Sequence, residues 1–250
     1  MLNENHFTVL IPAYNVAKWA KTNIISVVEQ DYNNYDIIYI DDCSADKTFE
    51  LVQETLNDCI ANHFNLHFEK NSFNKGKMQN VYDSIHEAKD DTVIVILDGD
   101  DWLPHENVLK YLNDVYSSDD IWMTNGSYII EPTNEIVRPT INENYWNGVI
   151  RHKSWEFSHL GTFKKELFCK VKRKDLMNKQ GEYWATTSDQ AIMWPMAEMA
   201  GPEHFKAIDE VLYVYNRLNP LSDDRAHRQD QLLTEQIIRN KKPYLRLETL

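Results

Sequence analysis

Several things are scarce in this chain of 250 residues. It has only 7 glycines, and after its first apolar run it carries Pro12-Ala13-Tyr14-Asn15 in place of a glycine-rich loop. A P-loop cradle of successive backbone N–H groups is therefore excluded at that turn. Its 3 cysteines, Cys43, Cys59 and Cys169, are odd in number, widely spaced and unlike any zinc pattern, which fits reduced thiols that serve packing. Cations are outnumbered, 26 against 39 acids, for a formal net charge of -13. That balance argues against broad binding to nucleic acid or anionic membranes, which needs clustered Lys and Arg. No apolar stretch approaches the roughly 20 residues of a membrane span. The start, Met1-Leu2-Asn3-Glu4-Asn5-His6, has neither the basic residues nor the apolar run of a signal peptide. A cytoplasmic location is the expectation, and there is no internal repeat, low-complexity tract or obvious linker.

What is present is enough apolar material, 42% of residues, for one large domain or two small ones. Up to about residue 125, short apolar runs alternate with helix-length amphipathic segments, the signature of an α/β fold with a mostly parallel sheet. Strands are expected at Phe7 to Ile11, Ile37 to Ile40, Leu66 to Phe68 and Val93 to Leu97. Ala20, Ile24, Val27 and Val28 share one helical face, as do Phe49, Val52, Leu56, Cys59 and Ile60. Two more helices are expected over Gly76 to Ala88 and Asn107 to Tyr116. After Ile121 the pattern becomes irregular and aromatic-rich, with Trp146, Trp155, Trp184 and Trp194 assigned mostly to packing. A helix near Asp189 to Ala200, a strand near Val211 to Tyr215 and a charged helix from Gln229 to Arg239 follow. The tail beyond it, Arg239 to Leu247, reads as a solvated helix end, with a membrane surface or a partner as the alternative.

Chemistry concentrates where apolar runs end. Ile94-Val95-Ile96-Leu97 stops abruptly at Asp98-Gly99-Asp100-Asp101, three carboxylates within four residues. Acids crowded at a sheet edge repel one another and are costly to desolvate, so a divalent cation with a polyphosphate behind it would neutralise them. A competing account makes them an acidic turn before a helix beginning near Pro104. The first strand runs into Pro12, which is expected to block further ladder bonding and force a turn at the strand's carboxyl end. Ligands bind at that end of open α/β sheets, and Tyr14 is placed to stack on a base; a plain strand-to-helix turn explains the same residues. The second strand ends in Asp41-Asp42, either of which could accept from a pyrimidine N–H, while Ser44 or Asp46 suits the cap of the next helix. Asn74-Lys75-Gly76-Lys77 opens the third helix with a glycine and two cations, which suits an anionic ligand or a solvated basic turn.

These four pieces occur in the order and approximate spacing of the family 2 glycosyltransferases, the inverting group with the GT-A fold. The chain resembles that family from Phe7 to about Asn125 and more loosely to about Ser222. The resemblance implies a single GT-A domain over 1–250, with a nucleotide-sugar-binding half over 1–125 and an acceptor-binding half plus C-terminal helix over 126–250. It implies that Pro12, Ala13, Tyr14 and Asn15 cradle the nucleoside and that Asp42 recognises the base. Asp98 and Gly99 would lie at the ribose edge, with Lys77 also on the nucleotide. Asp100 matches the metal-binding member of the family's Asp-x-Asp signature, and Asp101 stands beside it as an assisting or possible further ligand. Hard oxygen ligands imply Mn²⁺ or Mg²⁺, which would offset charge on the departing nucleoside diphosphate.

Inverting transfer also needs a base for the acceptor hydroxyl. Asp189 falls where family members carry that residue, although Ser188 stands where a Glu is frequent; a plain first-turn Asp favouring the helix dipole is the other reading. Asp175 and Glu182 are the reserves. His227 is a candidate metal ligand or a surface histidine, Arg225 and Arg228 are candidates for diphosphate oxygens, and His159 for the acceptor site. The expected partners are a nucleotide sugar, most simply a UDP-sugar, and a glycan or other hydroxyl acceptor. A silent carbohydrate- or nucleotide-binding module and a nucleotidyltransferase are the alternatives. The intact acids oppose the first, and the missing glycine-rich loop opposes the second.

Overall fold

The computed structural model describes residues 4–59, 64–118, 120–157, 159–221 and 228–250. The strands β1 (His6–Ala13), β2 (Tyr35–Asp41), β3 (Asn65–Lys70) and β4 (Thr92–Ile96) pair in the parallel order β3-β2-β1-β4. Helices α1 (Ala17–Val28), α2 (Thr48–Asp58) and α3 (Lys77–Glu87) make the crossovers, and α4 (Val108–Ser118) follows β4. Because β1 is nearly all apolar, it is buried on both faces, as a central parallel strand must be. Phe7, Val9 and Ile11 face α1, α2 and α4, whereas Leu10 faces the cluster containing Met78, Val81 and Ile85 of α3. The strand order reverses between β1 and β4, creating the crevice in which α/β sheets take ligands.

The second half extends the same sheet. Strands β5 (Met123–Glu131), β6 (Glu135–Val137), β7 (Thr162–Lys164) and β8 (Phe205–Asn216) continue it, with β7 antiparallel to β4 and β8 parallel to β5. Helices α5 (Lys165–Cys169), α6 (Ser188–Ala200) and α7 (Arg228–Arg239) complete the order. Trp184 and, on α6 itself, Trp194 are buried in the core. Arg151 fixes this region: its guanidinium, 1% exposed, donates to both carboxyl oxygens of Glu198 at 2.7 and 2.8 Å and to the Ile238 carbonyl of α7. Among the described residues, no helix is long and apolar enough to cross a membrane.

Three expectations need correction here. Pro12 does not end β1, which continues to Ala13 and stays paired with β2. Its carbonyl points to the β4 side, accepting from Gly99 N, and the N–H it lacks would point there too, beyond the ladder's last pair at Leu10 and Ile96. The break falls instead at Asn15, whose φ is 53°. The tail is not a solvated end: Tyr244, Leu247 and Leu250 pack on the core, and Leu247 N donates to Met199 O. Nor do the cysteines build the core: Cys43 and Cys59 are half-buried and Cys169 is exposed.

Candidate active site

The acidic loop after β4 is held from three directions. Leu97 N donates to Leu10 O and Gly99 N to Pro12 O, which lays the loop across the end of β1. A Cβ on Gly99 would lie 2.7 Å from Ala13 Cβ, so only glycine permits this approach. From α1 below, the buried Asn23 donates through Nδ2 to the carbonyls of both Asp98 (2.9 Å) and Asp101 (2.8 Å). From β8, Asn216 donates its backbone N–H to Asp101 Oδ1 at 2.7 Å and its side-chain amide to the Asp100 carbonyl at 3.0 Å.

This anchoring separates the three acids. Asp101 turns inward, 1% exposed, with one oxygen accepting from the Tyr213 hydroxyl and the other from Asn216 N. Burial, then Asp100 and Asp98, push its carboxyl well above the usual carboxylate range. The geometry gives Asp101 the work of tying the loop to β8, while it also stands in the lining of the cleft beside Asp100. Asp98 and Asp100 face the cleft. Burial by itself would raise the Asp98 carboxyl, but the Lys77 ammonium at 2.6 Å and the nearby His159 hold it below the ordinary value. Asp100 goes the other way, raised by burial and by the Asp98 charge, while Asn219 Nδ2 donates to its Oδ2 at 2.7 Å.

Around these acids opens a cleft of about 640 Å³. Pro12, Ala13, Tyr14, Asp42, Lys77, Asp98, Gly99, Asp100, His159 and Asp189 all line it, so residues separated by up to 177 positions meet at one sheet edge. Tyr14 is 46% exposed, leaving its ring face available for stacking. Asp42 is buried and organises the basic loop, accepting from Lys75 N and Gly76 N at 2.8 Å each and from Asn71 Nδ2. Gly76, at φ 85°, supplies the left-handed turn that starts α3.

Asp189 stands in the first turn of α6 behind Thr187, which adopts φ 63°. It is open to solvent but sits deep in the cleft, with protein on most sides. Burial raises its carboxyl above the ordinary value, although Lys77, the Gln190 N–H and His159 pull it down. The His159 imidazole stacks on Tyr213 at 4.6 Å and Tyr215 at 5.3 Å, and burial lowers its pKa against the pull of Asp98.

Other candidates lie elsewhere. Asn15 does not line the cleft; it bridges two loops, donating its N–H to Ser44 Oγ and accepting from Ala45 N. Ser44 is thereby used, and Asp46 Oδ1 accepts from Thr48 N at the first residue of α2, whose N-cap is Lys47 rather than either residue expected. Asp175 accepts from the Tyr244 hydroxyl, and Glu182 from Asn178; neither reserve base lines the cleft. Arg228 is exposed at the start of α7 and does not line it either. His227 and Arg225 lie outside the described residues. Sequence reasoning missed Asn219, Asn216, Tyr213 and Asn23, which set the acids, and Asp230, Gln231 and Thr234 of α7, which wall the cleft. The Asn216 and Asn219 signal was available: amides at and just past a strand end.

Asp100, with Asp98 near it, offers hard oxygen donors whose crowded charge a divalent cation would relieve. Among the described residues no three His, Cys, Asp or Glu side chains are grouped to hold a metal alone. The residues fit such an ion when substrate oxygens complete its shell.

The glycosyl transferase family 2 profile matches residues 8–178. The poly(ribitol-phosphate) beta-N-acetylglucosaminyltransferase TarS of Staphylococcus aureus is 30% identical over 107 residues, covering 41% of this chain and 17% of that protein. The crystal structure of TarS residues 1-349 with UDP-GlcNAc superposes with a TM-score of 0.70 at 16% identity, covering 93% of this chain and 65% of that one. The mannosyltransferase PcManGT of Pyrobaculum calidifontis, in complex with GDP-Man and Mn²⁺, gives a TM-score of 0.60 at 21% identity, covering 96% and 66%. This chain therefore spans about a sixth of its curated relative and about two thirds of these solved structures. With a GT-A sheet and a profile match across most of its length, the chain belongs to glycosyl transferase family 2.

Proposed function

We propose that this protein is an inverting, metal-dependent glycosyltransferase that moves a sugar from a nucleotide donor, most simply a UDP-sugar, to an acceptor hydroxyl. The observation that carries this reading is the meeting of Asp98, Asp100 and Asp189 on one cleft with Tyr14, Asp42 and Lys77. Tyr14 stacks on the base, and the Asp42 loop fixes its edge. Asp100 would hold Mn²⁺ or Mg²⁺ together with substrate oxygens, and the ion would supply charge stabilisation to the leaving nucleoside diphosphate. Lys77 adds a fixed cation beside the same charge. Asp189 takes the acceptor proton as the hydroxyl attacks the anomeric carbon from the face opposite the diphosphate. Burial raises its carboxyl, which makes it more basic than a solvated Asp.

The relatives support the donor class, since TarS is crystallised with UDP-GlcNAc and PcManGT with GDP-Man and Mn²⁺. The test is donor turnover by Asp100→Ala against the parent in Mn²⁺. Loss of turnover with an unchanged circular dichroism spectrum is expected, and turnover within threefold of the parent would sink the metal assignment.

A further inference from the structure

The cleft has a side pocket at its inner end. Lys77, Asp98, His159, Ser188 and Asp189 line both spaces and form the mouth between them. Beyond that polar mouth the walls turn apolar: Val81 of α3, Phe163 of β7, Ile192 and Met193 of α6, and Trp155 and Phe157 from the segment before His159. Val81 and Phe163 are fully buried, and Phe157 and Ile192 are 2% exposed, so the walls are set by core packing. The space measures about 50 Å³. A single water needs roughly 10–15 Å³ on this measure, so the pocket admits a small group of a few heavy atoms.

We propose that this pocket receives a methyl-sized apolar substituent on the donor sugar, the acetamido methyl of an N-acetylhexosamine or the C6 methyl of a deoxy sugar. The enzyme would therefore discriminate against fully hydroxylated hexoses. The inference rests on the glycosyl-transfer reading above. The donor is the occupant because the mouth is built from Lys77 and Asp98, two residues before Asp100, where a sugar still bonded to its diphosphate must lie. A hydroxyl pushed among these walls gives up its water without a matching partner. An acetamido group instead leaves its amide N–H and C=O at the mouth, within a cluster that holds both carboxylates and an ammonium.

The test is acceptor-free hydrolysis and equilibrium binding in Mn²⁺, with comparisons made within one base: UDP-GlcNAc and UDP-GalNAc against UDP-Glc and UDP-Gal, and GDP-fucose against GDP-mannose. UDP alone serves as the reference. A substituted donor should exceed its hydroxylated counterpart in kcat/KM by about ten- to a hundredfold, and the favoured pair separates the acetamido from the deoxy source. Filling the pocket by Val81→Leu, or more severely by Met193→Trp, should erase that preference while UDP affinity stays within twofold. Equal kcat/KM for all donors, or a preference that survives both filled variants, overturns the pocket assignment and leaves glycosyl transfer standing. Failure of UDP and every nucleotide sugar to bind removes the transfer reading itself.

Discussion

Replacing Asp189 by Asn separates chemistry from stability at one position. The amide keeps the shape of the carboxyl but cannot accept a proton. General-base catalysis contributes about 10²–10⁴-fold, so transfer should fall by that factor, or about 3–5 kcal/mol of barrier at 1.36 kcal/mol per tenfold. Stability should move the opposite way. Asp189 gains from the α6 start, a term of about 0.3–1 kcal/mol for an Asp in a first turn, and from Lys77 and His159, yet its carboxyl is still raised overall by burial, with Asp98 adding to the rise. For a carboxyl whose folded pKa is raised, the stabilisation is fully present below the unfolded value and is lost as pH rises through the folded one. Asp189→Asn removes that loss. Its melting temperature should match the parent near pH 4 and exceed it by pH 8, a trade of stability for function. The parent's kcat/KM should show an acid limb that rises with pH as Asp189 ionises. Transfer assays across pH 5–8 with parallel thermal melts check both halves. A variant transferring within threefold of the parent refutes the base assignment, and a melting temperature below the parent's at pH 8 refutes the electrostatic reasoning.

Lys77→Met leaves Asp98 without its 2.6 Å partner and the diphosphate without a fixed cation; the KM for donor should rise at least tenfold, as read from initial rates. Gly99→Ala places a methyl 2.7 Å from Ala13 Cβ, so the loop must shift at a cost of about 1–3 kcal/mol, and calorimetry should show weakened UDP binding. Arg151→Ala strands the buried Glu198, costing about 3–5 kcal/mol. At about 2–4 °C per kcal/mol for a chain of this size, its melting midpoint should fall by roughly 6–20 °C; a drop under 2 °C would show that the pair is not holding α7.

The first half of the fold was legible because most of its strands are short, mainly apolar runs and its helices have one apolar face. β1, β2 and β4 and helices α1 to α4 lie within a few residues of where periodicity places them. β5 was not legible: Thr124, Asn125, Gly126 and Ser127 break any alternation, although the three side chains are completely buried. Each instead has a polar partner. Thr124 Oγ1 pairs with Thr162 Oγ1, Asn125 Nδ2 donates to Glu156 O, and Ser127 Oγ donates to Ile208 O. Gly126 lets Leu160 N approach to 3.2 Å of where a Cβ would stand. A strand built on such contacts carries no hydrophobic signature, since its partners are 31 to 81 residues away.

The site divides in the same way. Acids at strand ends are local, so Asp42, Asp98 and Asp100 could be read directly. What each acid bonds to depends on distant groups: Asn216 and Tyr213 hold Asp101, while Asn219 donates to Asp100. Asp189 was reached through family resemblance, and its place beside His159 and Lys77 depends on α6 entering the sheet edge from the far half of the chain.

The most direct measurement is release of nucleoside diphosphate from UDP-GlcNAc, UDP-Glc and UDP-Gal by the purified protein, with Mn²⁺ or with EDTA and without acceptor. The account predicts turnover of at least one donor in Mn²⁺ that EDTA abolishes and added Mn²⁺ restores. Equal turnover in EDTA would contradict the metal-supported departure of the diphosphate, and no turnover together with no donor binding would contradict glycosyl transfer at this cleft.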